Sequence, residues 1–324
     1  MPISAEVIAN SISPAGHQLT TFKLRYPKFI HGEFMTHRNI SRNASSSRAI
    51  PVAKLIQEVE DDALRAGPVY WGREQKGMQS GGELEGVEKL YVVGHWREAA
   101  LDAVDHAKAM AALGAHKSIV NRILEPFLHI NVVATATEWD NFFGLRLHKD
   151  AQPEMRTLAF AMWEAKNAST PELLQPGQWY LPFVDHQDRG EVLAWARKQH
   201  GPMRDGEGGA EYHNRGVPFH LEAHERLIKV SVARCARISY ESFKTGKRST
   251  IEEDLKLYDR LVGAQPLHAS PAEHQATPDD WVGDDPDHPT GWYFPDEHGN
   301  FIGWRQYRKM LPGEAVAPLP AEFS

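Results

Sequence analysis

The chain has 324 residues, 41% apolar and 24% charged, an ordinary globular composition with enough apolar mass for a substantial core. Its 36 Lys and Arg against 43 Asp and Glu leave a net charge of −7, which argues against non-specific nucleic-acid binding by phosphate neutralisation. One cysteine, Cys235, excludes an internal disulfide and a cysteine metal cage, and no apolar run reaches the roughly 18 residues of a membrane span. The opening MPISAEVIANS lacks the basic region and apolar core of a signal peptide, so no membrane association and a cytoplasmic location are expected.

Phe22, Leu24 and Tyr26 alternate with Thr21, Lys23 and Arg25, which predicts a half-buried strand ending at Pro27. The small-residue run NISRNASSSRAIP that follows reads as a loop, and its two arginines suggest an anion site. A helix is expected over about 53–65, with Leu55, Ile56, Val59 and Leu64 on one face. A longer one is expected over 87–113, where Val93, Trp96, Ala100, Val104, Ala107 and Ala111 recur at helical spacing and Gly114 stops the run. Residues 116–125 read as helix up to Pro126, and INVVATA (130–136) as a buried strand. Asp150 is the expected cap of a helix to about 166, with Met155, Leu158 and Met162 inward. Residues 200–216 read as a glycine-rich loop, 229–240 as a strand, and Thr250 with Glu253 as the capping box of a helix to Val262. Residues 276–300 read as an irregular acidic excursion.

Several familiar chemistries are missing from the sequence. There is no GxxxxGK phosphate loop, no GxGxxG fingerprint, no HExxH and no GxSxG elbow, and the 17 histidines show no ligand spacing, so no metal is expected.

One stretch is specific. THRNISRNASSSRA (36–49) resembles the RHRxxSxNExSxRY signature of the flavin-dependent thymidylate synthases, the thymidylate synthase complementing proteins. His37, Arg38, Ser41, Asn43, Ser46 and Arg48 match, whereas Thr36, Ala44 and Ala49 replace the signature's Arg, Glu and Tyr. VNRILEP (120–126) resembles the family's arginine-bearing helix that runs into a proline, and NFFGLRLHKDAQPEMR (141–156) its Asn…Leu-Arg…Ala-Gln segment. RCARISY (234–240) and HASPAEH (268–274) resemble the family's opening strand and HxSPFEH element, which in the family precede the signature and here follow it. The resemblance is therefore to a circularly permuted, viral-type member.

That resemblance implies an α+β fold, an antiparallel or mixed sheet packed with long helices. It implies a single catalytic domain over 1–324, with a signature and helical part (19–165), a permuted strand–helix part (229–275) and a C-terminal extension (276–324). The implied activity is reductive methylation of dUMP to dTMP, with FAD as cofactor and methylenetetrahydrofolate and NADPH as co-substrates, in a homotetramer. Arg146 and Ser46 would be catalytic. Glu33, Ser46, Arg48, Arg122 and Arg146 would bind the nucleotide, where a planar, always-charged guanidinium suits a phosphate or an activated uracil. His37, Arg38, Asn43, Asn141, Ser239 and His274 would hold the flavin, with His148 or Asp150 nearby. Ser46 is expected to act as a hydrogen-bonding group, because nothing close in sequence activates its hydroxyl. A flavin removes the need for a cysteine nucleophile, so Cys235 reads as a core residue. The three departures leave open a hydroxymethyl product, another pyrimidine nucleotide, or a flavin- or nucleotide-binding protein without turnover. Arg305, Arg308 and Lys309 are candidates to restore the missing cation.

Overall fold

A computed structural model describes residues 3–200, 210–239, 248–263, 267–283 and 285–314, apart from the side chains of 200, 210–220 and 239. The chain divides into two compact units. One holds Met1–Val7, Phe22–Thr170 and Ile238–Thr245; the other holds Ile8–Thr21, Pro171–Arg237 and Gly246–Ser324. Both are mixed α and β, as the expected α+β class requires.

The first unit carries the signature. Strands β1 (Ser4–Ile12) and β2 (Gln18–Pro27) are sheet neighbours, and in this unit the order continues to β4 (His129–Ala136) and then β3 (Ser41–Ala44). Phe22, Leu24 and Tyr26 are fully buried, as their alternation predicted, while Lys23 and Arg25 pair with Glu6 and Glu58. Every residue of β4 is buried. Its antiparallel partner is the first half of the signature, with Ser41 opposite Thr135 and Asn43 opposite Val133. The small-residue run therefore forms a strand where a loop was expected. The fully buried β4 offers backbone that needs a partner, and ladder hydrogen bonds outweigh the weak local preference of Ser and Asn for turns.

Helix α1 (His31–Phe34) precedes β3, and α2 (Val52–Asp61) and α3 (Gly86–Ala112) follow it. Gly114, at φ 84°, ends α3: its N–H donates to Ala111 O and that of Ala115 to Met110 O, a Schellman closure only a residue at ease in the left-handed region makes cheaply. Only Ala100, Val104 and Ala107 of α3 are buried, so its expected apolar face is narrower than the spacing implied. Helix α4 (Lys117–Val120) passes into a 3-10 run, Asn121–Phe127. After β4 come α5 (Asp140–Arg146) and α6 (Pro153–Asn167), whose Met155, Leu158 and Met162 are fully buried under the sheet's apolar face. The α6 cap is Gln152, whose side chain accepts from Met155 N–H, and not Asp150, which sits two residues too early and faces His148.

In the second unit the outer part of the β1–β2 pair is joined by β5 (Glu172–Leu173), parallel to β1. A turn closed by Gly16 at φ 86° links β1 to β2. Helices α7 (His186–His200), α8 (Ala210–Ala236) and α9 (Ile251–Leu261) pack together, with the expected Thr250–Glu253 capping box in place. The expected strand over 229–240 is corrected: 229–236 is the last part of α8, followed by a 3-10 turn, Arg237–Ser239. Val230 through Cys235 are buried without interruption, so the helix is sheltered all round there, and a short apolar run rich in β-branched residues does not distinguish such a helix from a strand. The expected loop over 200–216 is corrected from Ala210 onward, where α8 begins; 201–209 lie outside the described residues. A two-stranded sheet, β6 (Ala276–Pro278) with β7 (Trp304–Gln306), frames the acidic excursion, and the four-residue helix α10 (Tyr307–Met310) follows. Phe301 and Trp304 give that segment a core of its own beside Leu19 and Tyr180.

Among the described residues no helix is long and apolar enough to cross a membrane.

Candidate active site

The first unit brings separated parts of the resemblance into contact. Arg146 closes α5, and its Nε donates to His37 Nε2 over 2.9 Å, while its terminal nitrogen reaches Thr36 Oγ1 at 3.3 Å. The His37 ring stands edge-on to Phe142, one turn back on α5, at 4.9 Å between centroids. Arg42, on β3, donates to the carbonyls of His37 (2.5 Å) and Met35 (3.3 Å), pinning the bend between α1 and β3. Burial, then the Arg146 and Arg42 charges, push the His37 imidazole below its ordinary value, so it is neutral at pH 7. Because Nε2 accepts from Arg146, the ring proton sits on Nδ1.

Thr36 stands where the signature has an arginine. Its hydroxyl donates to Glu33 O at 2.7 Å and accepts from Arg146, so the departure leaves Arg146 tied to two uncharged groups. Glu33 lies on α1, half-buried. Arg38 and Asn141 are exposed, and Asn43 is half-buried on β3; among the described residues none of these three side chains has a hydrogen-bond partner. Ser46 is half-buried at the start of a 3-10 turn, Ser47–Ala49, and Arg48 points from that turn into solvent without an acidic partner among the described residues. Arg122 is exposed and pairs with Glu125 at 3.2 Å. Partial burial raises Glu125, but the Lys28 and Ser47 hydrogen bonds and the Lys28 and Arg122 charges outweigh it and hold the carboxyl below its usual range. His148 and Asp150 form an exposed pair at 3.5 Å.

The remaining expected residues belong to the second unit or its border. His274 is fully buried, and burial pushes its imidazole down to about 3. Ser239 ends the 3-10 turn after α8, and its side chain lies outside what the structure describes. Arg305 is held by Glu297 at 2.6 Å over the Phe294 ring, Arg308 by Glu273 and Glu314, and Lys309 by Glu314, so all three candidate cations are engaged within their own unit. Cys235 is fully buried, and burial pushes its thiol well up, as befits a core residue.

Sequence reasoning missed Thr36, Phe142 and Arg42 as neighbours of His37. Phe142 and Arg146 are four apart on one helix face, a spacing visible in the sequence once α5 is assigned.

The sequence profile of the thymidylate synthase complementing proteins matches residues 6–172, which span the signature, the arginine-bearing helix and the NFFGLR segment. The chain belongs to this family. It is the family of the flavin-dependent thymidylate synthases, so the chain is an enzyme of the methyltransferase class. No curated protein matches the sequence. Among solved structures, a UMP/dUMP methylase, PolB, from Streptomyces cacaoi bound with 5-Br UMP is similar at 20% identity and a TM-score of 0.40, over 51% of this chain and 88% of that one. The same enzyme with 5-Br dUMP gives 19% identity and 0.38, over 51% and 89%. A flavin-dependent thymidylate synthase, ThyX, from Helicobacter pylori complexed with FAD and dUMP gives 16% identity and 0.33, over 46% and 68%.

Proposed function

We propose that the protein methylates carbon 5 of dUMP to give dTMP, with FAD as cofactor, methylenetetrahydrofolate as carbon donor and NADPH as reductant. The observation that carries this reading is the contact of His37 with Arg146, which joins the signature to the NFFGLR segment across 109 positions of sequence. A family resemblance scattered along a chain gains weight when its parts meet.

The donor set suits a flavin nucleotide. Arg38 and Asn141 offer outward donors of the kind a pyrophosphate takes, and the Nδ1–H of His37 is a donor in a half-dry setting. When bound, the flavin would supply hydride and one-carbon transfer. The chain's own residues then bind and orient. Arg48 and Arg122 neutralise the nucleotide phosphate, Glu33 and Ser46 hydrogen-bond the nucleotide, and Asn43 adds a donor beside the cofactor. Arg146, kept in place by neutral partners, retains its full charge for the anion that develops on an activated uracil. In a chain of net charge −7, the exposed Arg38 and Arg48, without acidic partners among the described residues, are a local surplus that an anionic substrate would balance.

We read 1–324 as one catalytic chain acting as a homotetramer, with the HASPAEH and RCARIS matches as a permuted part that contributes Ser239 and His274 to the flavin. With 229–236 helical, that permutation rests on motif likeness and not on a shared strand.

The test is purified protein with FAD, NADPH, carbon-labelled methylenetetrahydrofolate and a panel of pyrimidine nucleotides. Labelled dTMP from dUMP is the expected product. Failure to bind any flavin, or flavin and dUMP bound without labelled product, overturns it.

A further inference from the structure

We infer that Lys117, Asn121 and Glu125 form a clamp that positions the Ser46–Arg48 turn, and that Asn121 is its central positioning residue; this deepens the nucleotide-binding reading above and rests on it.

The turn has little to hold it. Its 3-10 segment is three residues long, and its own backbone bonds are Ala49 N–H to Ser46 O (3.1 Å) and Ile50 N–H to Ser47 O (3.3 Å). Such a turn is marginal unless its surroundings fix it. Three side chains do so from the run 117–125, spaced four residues apart. Lys117 donates to Ala49 O at 3.2 Å. Asn121 donates through one amide nitrogen to Ser47 O (2.7 Å) and Ile50 O (3.0 Å), bridging both ends of the turn. Glu125 accepts from the Ser47 hydroxyl at 2.5 Å.

Two features mark this as more than incidental packing. Asn121 is fully buried, and its two bonds fix which end of the amide is nitrogen, so its carbonyl oxygen is left without a partner among the described residues. A buried amide with an unused acceptor carries a desolvation cost, which the two donor bonds of Asn121 to the turn offset. Glu125, in turn, uses the same oxygen for Ser47, for Lys28 at 2.6 Å and for Arg122 at 3.2 Å. One carboxylate oxygen thus ties the turn bearing Arg48 to the side chain of Arg122. The two arginines assigned to the nucleotide phosphate are set against each other through Ser47 and Glu125. Holding a long cation ready before the anion arrives lowers the ordering cost of binding.

The experiment measures Asn121→Ala and Lys117→Met on the full-length protein, with two readouts. Hydrogen exchange of the 45–51 amides, without any ligand, is expected to speed up about ten-fold in each variant, as expected for loss of one or two hydrogen bonds, while exchange in β4 stays as in the wild type. Titration with dUMP is expected to show affinity weakened about ten-fold, with flavin affinity unchanged because His37 and Arg38 lie outside the clamp. A merely structural role would move the thermal midpoint and both affinities together. Lys117→Met keeps the test open should Asn121→Ala not fold. Unchanged exchange at 45–51, or unchanged dUMP affinity in a variant whose turn exchanges faster, overturns the inference. A wild type that binds no dUMP overturns the functional reading instead, and the exchange measurement still decides whether the clamp exists.

Discussion

Arg146 donates its Nε hydrogen to the Nε2 of a neutral His37 at 2.9 Å, so the arginine is oriented by an acceptor that exists only while the imidazole is unprotonated. His37 has its folded pKa depressed, chiefly by burial and then by Arg146 and Arg42. Acid therefore takes away both the acceptor and a share of stability as pH falls below the ordinary value and through the folded one. Replacing Arg146 by Met removes one of the two neighbouring charges. NMR titration of the His37 ring should show its pKa rising toward the ordinary value, with the burial contribution left in place. An unchanged pKa would mean the two side chains do not face each other in solution.

Arg48→Ala should leave the thermal midpoint close to the wild type, since the side chain is exposed and has no intramolecular acid partner among the described residues. Loss of a charge-assisted contact to the nucleotide should weaken dUMP binding roughly ten- to a hundred-fold. Calorimetric titration checks it. Equal affinities would remove Arg48 from the nucleotide site.

Cys235→Ser should keep turnover. The thiol is fully buried in α8, so it cannot reach a nucleotide without opening the helix. Placing a hydroxyl there should cost about 1–3 kcal/mol of stability. A folded but inactive variant would point to a thiol mechanism.

Asp254→Ala should be among the most damaging substitutions outside the site. Its carboxylate, fully buried, accepts from Arg234 at 2.8 Å and Arg237 at 2.6 Å, and Arg234 also spans to Asp188. Removing Asp254 leaves Arg234 with Asp188 alone and Arg237 without an acid among the described residues, and breaking this buried network should cost about 3–5 kcal/mol. The denaturant midpoint reads this directly. In the same network burial tends to raise Asp188, but Arg234, the Asp185 N–H and Arg248 hold it at about 2, so its share of stability is whole above the ordinary 3.8 and is lost as pH falls from there through about 2.

His274 governs a wider window. With a folded pKa of about 3 against an ordinary 6.5, the unfolded chain takes up a proton that the folded chain refuses. Stability should fall as pH drops below 6.5, and the loss should stop growing near 3. Urea midpoints measured between neutral and mildly acid pH should show this slope flattened in His274→Asn. A slope as steep as the wild type's would assign it to other groups.

The sequence was most readable where a single period governs burial. Phe22, Leu24 and Tyr26 announced β2 by alternation, and Thr250 with Glu253 announced α9 by a reciprocal cap whose geometry is local. It was least readable where tertiary partners decide. β1 went unmarked because its residues are only partly buried and show weak alternation. The signature's first half became a strand because β4 lay open to it, and 229–236 looked extended because a helix buried on every side loses its period. For the site, motif likeness found His37 and Arg146 but could not find Thr36 between them. Nothing in the spacing of a threonine and an arginine 110 positions apart signals their contact.

The one thiol of the chain sits at zero exposure on α8, 3.5 Å from the buried amide of Gln275, and that packing must open before any reagent reaches it. The native protein is thus mute to thiol chemistry and becomes singly reactive when that packing opens. A disulfide reagent in excess would turn colour once per molecule, at a rate equal to the opening equilibrium multiplied by the intrinsic reactivity of a free thiolate. The second unit carries its own clock, with no probe to engineer.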